Sequence, residues 1–317
     1  MIANDQEVAQ SAPSGERSLR TMFMNAEGLR PGWAALLFVL IVVAQAVATR
    51  APVNHVLHAL HARQPSQLWS SILATAMPAL LVLVATAIMA RLERRPVLSY
   101  GFVGERKLSR LVWGIVTGVA ALSVLVLTLK MSGFLIFDGQ RLHGAAVWNF
   151  ALQWGLIALF TGLFEEGLLR GYLQFTLARG IGFWWAALVL SVAFGVAHLP
   201  NGGESVLGIV SVVLAAMVFC LSLWLTKSLY WAVGWHAGWD WAQSYLYGVS
   251  NSGLASKGQL FASHPVGRPL WSGGLTGPEG SVLMLPLLVL LALGVWVTWR
   301  KRRVAEEPVL AVAVPVA

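Results

Sequence analysis

Glu165 and Glu166 stand side by side at the end of an apolar run, in Phe164-Glu165-Glu166-Gly167-Leu168-Leu169-Arg170. A charge at bilayer depth costs about 3 kcal/mol or more unless it is paired. On a helix Glu166 precedes Arg170 by one turn, acid before base, the favourable order for an ion pair. Glu165 is turned about 100° away from Glu166. One carboxylate can therefore be held by the arginine while the other faces elsewhere, as acid/base chemistry requires. Further along, His198 closes Phe194-Gly195-Val196-Ala197-His198, with Phe194 one turn before it. His236 opens His236-Ala237-Gly238-Trp239-Asp240, so imidazole and carboxylate are again one turn apart. A carboxylate beside a histidine fixes its tautomer and raises its basicity, as in metal and hydrolytic sites. Of fourteen acidic residues only Glu165, Glu166 and Asp240 lie in or against apolar runs, and of seven histidines only His198 and His236. Any one of them alone reads equally well as an interior polar group that helps helices associate. Together they read as a functional site. Gly195, Ala197, Ala237 and Gly238 are small enough to let the spans approach closely.

The elements that must position these residues are membrane helices. Hydrophobic residues make up 57% of the 317 and charged residues 11%, against about 25% charged in soluble domains. Eight apolar stretches, at about 33–49, 69–90, 111–129, 147–164, 183–199, 205–226, 229–247 and 282–299, are candidate spans of an all-α bundle. The fourth brings the glutamates towards mid-membrane if its helix continues through Arg170 to about Ala178. Residues 1–30 read as a flexible lead-in, with no early apolar core of a cleavable signal, and 301–317 as a tail. The net charge of +8 does not point to nucleic acid, because the basic residues fall between apolar runs. With the N-terminus inside, 16 of the 22 Lys and Arg residues lie on inner segments, which places both termini in the cytoplasm. The reading is an integral protein of a cytoplasmic membrane in contact with lipid. His55, His58 and His61 share one broad face of a short interfacial helix rather than a metal site, since no acid or cysteine completes a set. Residues 248–281 form a Gly-, Ser- and Pro-rich outer loop without a chemical signal.

The order Glu-Glu-x-x-x-Arg, then Phe-x-x-x-His, then His-x-x-x-Asp, each in an apolar span, resembles the CPBP (CAAX prenyl protease and bacteriocin-processing, Abi) family over about residues 147–247. That resemblance implies a bundle of about eight spans acting as an intramembrane endopeptidase on a membrane-associated or lipidated peptide. By the same analogy Glu165 activates a water with His198 assisting, His236 and Asp240 complete the site, and Glu166 braces Arg170, with Phe194 behind them. The prenyl-protease branch tends to carry Asn at the position of Asp240. An amide can donate to an oxyanion and an ionised carboxylate cannot, so Asp240 fits an orienter of His236, a metal ligand or a protonated donor.

The residues themselves offer no other nucleophile. Cys220 has no basic neighbour within four residues, and no Gly-x-Ser-x-Gly elbow occurs. Zinc at Glu165, His198, His236 and Asp240 is left open: the donor types suffice, a metal-free glutamate/histidine mechanism accounts for them equally, and no His-Glu-x-x-His is present. Two other classes use the same residues. A catalytically silent scaffold or bacteriocin-immunity protein would keep the fold and tolerate loss of Glu165. An ion-coupled carrier would use the acids and histidines as a proton relay, though no internal repeat of the usual carrier kind is found.

Overall fold

The structure is a computed structural model that describes residues 22–25, 28–63 and 67–310. Residues 1–21 of the expected lead-in and 311–317 of the expected tail lie outside the described residues. The chain folds as an all-α bundle of α1 (Pro31–Arg63), α2 (Gln67–Leu92), α3 (Lys107–Met131), α4 (Ala145–Glu166), α5 (Gln174–Ile181), α6 (Phe183–Ala197), α7 (Val206–Thr226), α8 (Tyr230–Trp241) and α9 (Met284–Leu310). Each expected apolar stretch is centred on one of these helices.

Among the described residues, five segments have the length and apolarity to cross a bilayer: Pro31–Ala59, Ser70–Leu92, Lys107–Met131, Ala145–Ile181 and Val206–Thr226. The other expected stretches form shorter apolar helices, among them Phe183–Ala197 and Met284–Arg300, and some are shorter for local reasons. Helix α6 has 15 residues and stops ahead of Leu199-Pro200, where the residue before proline is pushed out of helical geometry. Helix α8 has 12 residues and passes into a π-helical turn, Ala242–Leu246. The fourth segment does run on past Arg170, through a π-helical turn at Gly167–Leu173 into α5. The separate interfacial helix expected at His55–His61 is absent. Helix α1 continues unbroken through Pro52 to Arg63, with His55 and His58 exposed; the side chain of His61 lies outside the described residues.

Helix α8 is the centre of the bundle. Its residues Trp231 to Trp235, Ala237, Gly238 and Trp239 are buried, and it packs between α3 and α4. Against α3 the packing is parallel and backbone to backbone. Gly114 and Gly118 meet the carbonyls of Trp231 and Trp235, and Gly234 and Gly238 meet those of Leu111 and Ile115, so closely that a Cβ at any of the four would overlap a carbonyl oxygen. This is a reciprocal Gly-x-x-x-Gly pair, which exchanges side-chain volume for close helix approach. On the other face Gly162 of α4 would place a Cβ 3.1 Å from the Val233 carbonyl and 3.5 Å from Cβ of His236.

The two ends of the bundle are tied differently. At one end β1 (Leu135–Gln140) and β2 (Phe261–Pro265) form an antiparallel pair from Leu135↔Pro265 to Gln140↔Phe261, bulged between Phe137 and Gly139. At the other end Glu93 follows α2 and accepts hydrogen bonds from Tyr172 (2.6 Å), Tyr100 (2.8 Å) and Arg179 (3.0 Å). Burial opposes the Glu93 charge, but the two phenols and Arg179 outweigh it and hold its carboxyl below the usual range.

Candidate active site

Helices α4, α6 and α8 deliver the polar residues to one place. Glu165, Phe194, His198, His236 and Asp240 all edge a single cavity of about 620 Å³ whose remaining wall is mostly aliphatic and aromatic. The structure thus brings these five expected residues to one cavity. Glu165 and Glu166 are treated very differently despite being neighbours. The side chain of Glu165 is 21% exposed and that of Glu166 is 0% exposed. Arg170, also fully buried, donates from Nη1 to Glu166 Oε1 at 3.2 Å. Its guanidinium lies 4.7 Å from the Phe194 ring centroid and 5.8 Å from that of Phe219, cation–π contacts that help hold a desolvated charge.

Helix α4 ends at Glu166 and the wide π-helical turn begins at once, with Gly171 at φ −79°, ψ −121°, outside helical values. A second wide turn follows Asp240 on α8, starting at Ala242. Both acid-bearing helices thus widen directly after their site residues, and π-bulges are frequent at functional sites.

His198 caps the C-terminus of α6, and its Nδ1 lies 2.8 Å from the Phe194 carbonyl oxygen. A carbonyl only accepts, so Nδ1 carries the proton and donates, which leaves Nε2 as the nitrogen available for chemistry. The Phe194 ring stands edge-on to His198 at 4.7 Å and to His236 at 6.4 Å. His236 has carboxylates on both edges. Its Nδ1 is 3.1 Å from Glu166 Oε1, while Nε2 is 3.4 Å from Glu165 Oε2 and 3.6 Å from Asp240 Oδ2. Glu166 therefore does more than brace Arg170: it also holds His236, at a shorter distance than the i,i+4 partner Asp240.

The loop 248–281, in which the sequence shows no chemical signal, contributes directly. Asn251, Ser252, Leu254 and Glu279 reach the same cavity, and Asn251 Nδ2 donates to Asp240 Oδ1 at 3.1 Å. Glu279 is buried and accepts from Gln243 Nε2 at 2.6 Å and from the backbone N–H of Ser252. Burial pushes its carboxyl up to about 7, against the pull of those two donors. A signal did exist: Glu279 is the lone acidic residue of 248–281.

Zinc at this site would depend on Glu165, His198, His236 and Asp240 as donors. Two imidazoles and two carboxylates are suitable chemistry. Among the described residues, however, no three His, Cys, Asp or Glu side chains are gathered closely enough to hold an ion.

Apolar helices of crossing length mark an integral membrane protein, and acids and imidazoles line its interior cavity. Residues 147–242, from α4 to the end of α8, match the family described as type II CAAX prenyl endopeptidase Rce1-like. The match supports membership of the CPBP family of CAAX-type membrane proteases, and the matched segment carries Glu165, Glu166, Arg170, Phe194, His198, His236 and Asp240. No curated protein and no solved structure matches the chain.

Proposed function

We propose that the protein is an intramembrane endopeptidase that cleaves a membrane-associated or lipidated peptide with a water activated by Glu165. The observation that carries this reading is the contrast between the two adjacent glutamates: Glu165 opens on the cavity, and Glu166 is sealed against Arg170. Peptide hydrolysis needs a nucleophile, stabilisation of the tetrahedral oxyanion and a proton for the leaving amine. Glu165 takes a proton from water as the oxygen attacks the scissile carbonyl, and returns it to the amine nitrogen as the C–N bond breaks. His198 presents Nε2 to the same space and assists that transfer. His236, fastened through Nδ1 to Glu166, aims Nε2 between Glu165 and Asp240. The aliphatic and aromatic wall excludes bulk water, which strengthens each of these electrostatic contacts.

The cavity is lined in part by the loop 248–281, at the end of the bundle that carries β1 and β2. With the positive-inside count that end faces away from the cytoplasm, so the substrate enters from the outer half of the bilayer. The test is Glu165→Gln, which keeps size and hydrogen bonding and removes the base. The purified variant should fold and bind a membrane-anchored reporter peptide, yet cleave it about 10²–10⁴-fold more slowly. Full activity in Glu165→Gln rejects the mechanism. A chelator should leave wild-type turnover unchanged, and loss of activity on chelation would bring a metal back into it.

A further inference from the structure

Asp240 stands where the prenyl-protease branch tends to carry Asn, and the structure places an amide beside it from elsewhere in the chain. Asn251 lies beyond α8 and its π-helical turn, in the loop 248–281 at the end of the bundle that carries β1 and β2. Its Nδ2 donates to Asp240 Oδ1 at 3.1 Å, while the other carboxylate oxygen, Oδ2, faces His236 Nε2 at 3.6 Å. The carboxylate is thus gripped on one oxygen and presented on the other.

The backbone around Asn251 is fixed independently of this contact. Asn251 and Leu254 exchange backbone hydrogen bonds, each 2.9 Å, and Gly253 N–H donates to the Thr276 carbonyl at 2.9 Å. Asn201 Nδ2, from the turn after α6, donates to the Ser252 carbonyl at 2.8 Å. Ser252 takes a positive φ of 45° and gives its N–H to buried Glu279. Gln243 then links Glu279 to the Ser250 carbonyl, at 2.6 Å on each side. A segment tied at every residue from 250 to 254 carries its side chains as rigidly as a helix does, and rigid support is what a reacting constellation needs.

We infer that Asn251 is a positioning residue of the site: its amide sets the rotation of the Asp240 carboxylate and, through it, the alignment of His236 with Glu165. The inference rests on the proposed protease function. Asn251 acts through Asp240 and makes no claim on the reacting atoms. The class of effect is that of a partner behind a functional side chain, whose loss costs about 10–100-fold in activity.

The experiment uses the full-length protein in detergent, with a membrane-anchored reporter peptide and three variants: Asn251→Ala, Asn251→Asp, and the exchange Asp240→Asn with Asn251→Asp. Asn251→Ala should lower kcat about 10–100-fold with KM within about twofold, because the cavity wall is kept. Asn251→Asp sets two carboxylates face to face and should fall at least as far. The exchange restores one amide and one acid, and should recover at least about tenfold over Asn251→Asp alone, at the lower end of that range. A thermal double-mutant cycle between Asp240→Ala and Asn251→Ala supplies a readout that needs no activity. Non-additive melting shifts are expected of a pair in contact. Unchanged kcat in Asn251→Ala overturns the inference. So does a loss that merely follows the folded fraction, with no recovery in the exchange. A wild-type protein that leaves the reporter intact rejects the protease reading instead, and additive melting shifts in the cycle then reject the pairing as well.

Discussion

Replacing Arg170 by alanine isolates what holds Glu166 in place. The wild-type pair has no exposed side-chain surface on either partner, and a single 3.2 Å hydrogen bond joins Nη1 to Oε1. Removing one member of such a pair strands the other charge, which costs about 3–5 kcal/mol. The guanidinium also lies 4.7 Å over Phe194, a contact worth about 0.5–2 kcal/mol when desolvated. The sum, about 4–7 kcal/mol, is a large share of the roughly 5–15 kcal/mol that separates folded from unfolded states. At about 2–4 °C per kcal/mol, Arg170→Ala should lower the melting temperature in detergent by about 10 °C or more.

The companion variant removes both charges at once, Glu166→Gln with Arg170→Met. Replacing a buried pair by uncharged groups of similar volume is often neutral, and the glutamine keeps an acceptor for His236 Nδ1. Most of the lost stability should return. The assay is tryptophan-fluorescence thermal unfolding, for which 15 tryptophans give ample signal. A melting temperature within about 2 °C of wild type in Arg170→Ala, under one kcal/mol by the same conversion, would refute the reasoning. A double variant less stable than the single one would refute it too.

Three further outcomes are expected. Gly118→Val puts a branched side chain into the Trp235 carbonyl across the α3–α8 contact; expression of folded protein should collapse, and a normal gel-filtration profile would contradict the backbone-to-backbone packing. Glu279, with its carboxyl pushed up to about 7 in the fold from 4.5, stays protonated in the native state while the unfolded chain ionises. Its contribution is therefore fully present below about pH 4.5 and lost as pH rises through about 7, a change of roughly 3 kcal/mol; proteolysis of 248–281 should speed up across that window, and a flat or opposite profile would reject the burial. Ala255→Cys, exposed at the rim of the cavity in a chain whose sole native cysteine, Cys220, is buried, should react with a membrane-impermeant maleimide added to the outside of intact cells. Labelling only after the cells are opened would reverse the assigned orientation.

How much of this was legible in the sequence depended on the range of each contact. The pairing of Glu166 with Arg170 and the proximity of His236 to Asp240 are one-turn relations, and spacing alone states them. The grip of Glu166 on His236 joins residues 70 positions apart, and no local pattern encodes which of three carboxylates lies nearest an imidazole. The Gly-x-x-x-Gly motifs at Gly114/Gly118 and Gly234/Gly238 are plain in the sequence, but which two helices they join is a tertiary fact. Asn251 was invisible for a different reason, and Glu279 stood out only as the lone acid of its loop: that loop has no periodicity to read, and its shape is set by hydrogen bonds to Asn201, Gln243 and Thr276. Chain order and apolar length did give the bundle. They did not give the short α6 and α8, because proline geometry and π-helical turns end those helices before the hydrophobicity does.

The adjacency of Glu165 and Glu166 makes the site depend on helix register. Consecutive residues differ by about 100° in direction, so a one-residue slip of α4 in one sense would bring Glu165 to the sealed place of Glu166, and in the other sense would bring Glu166 to the cavity. The slip is resisted at Gly162, one turn before Glu166, where the backbone of α4 comes close to Val233 and His236 of α8. Helix α8 is itself locked to α3 by the four glycines on its opposite face. The chain of constraints thus runs from α3 through α8 to α4, and its far end is a choice between two chemically identical carboxylates. Backbone contact, rather than any property of the glutamates, decides which of them is dry and which meets water.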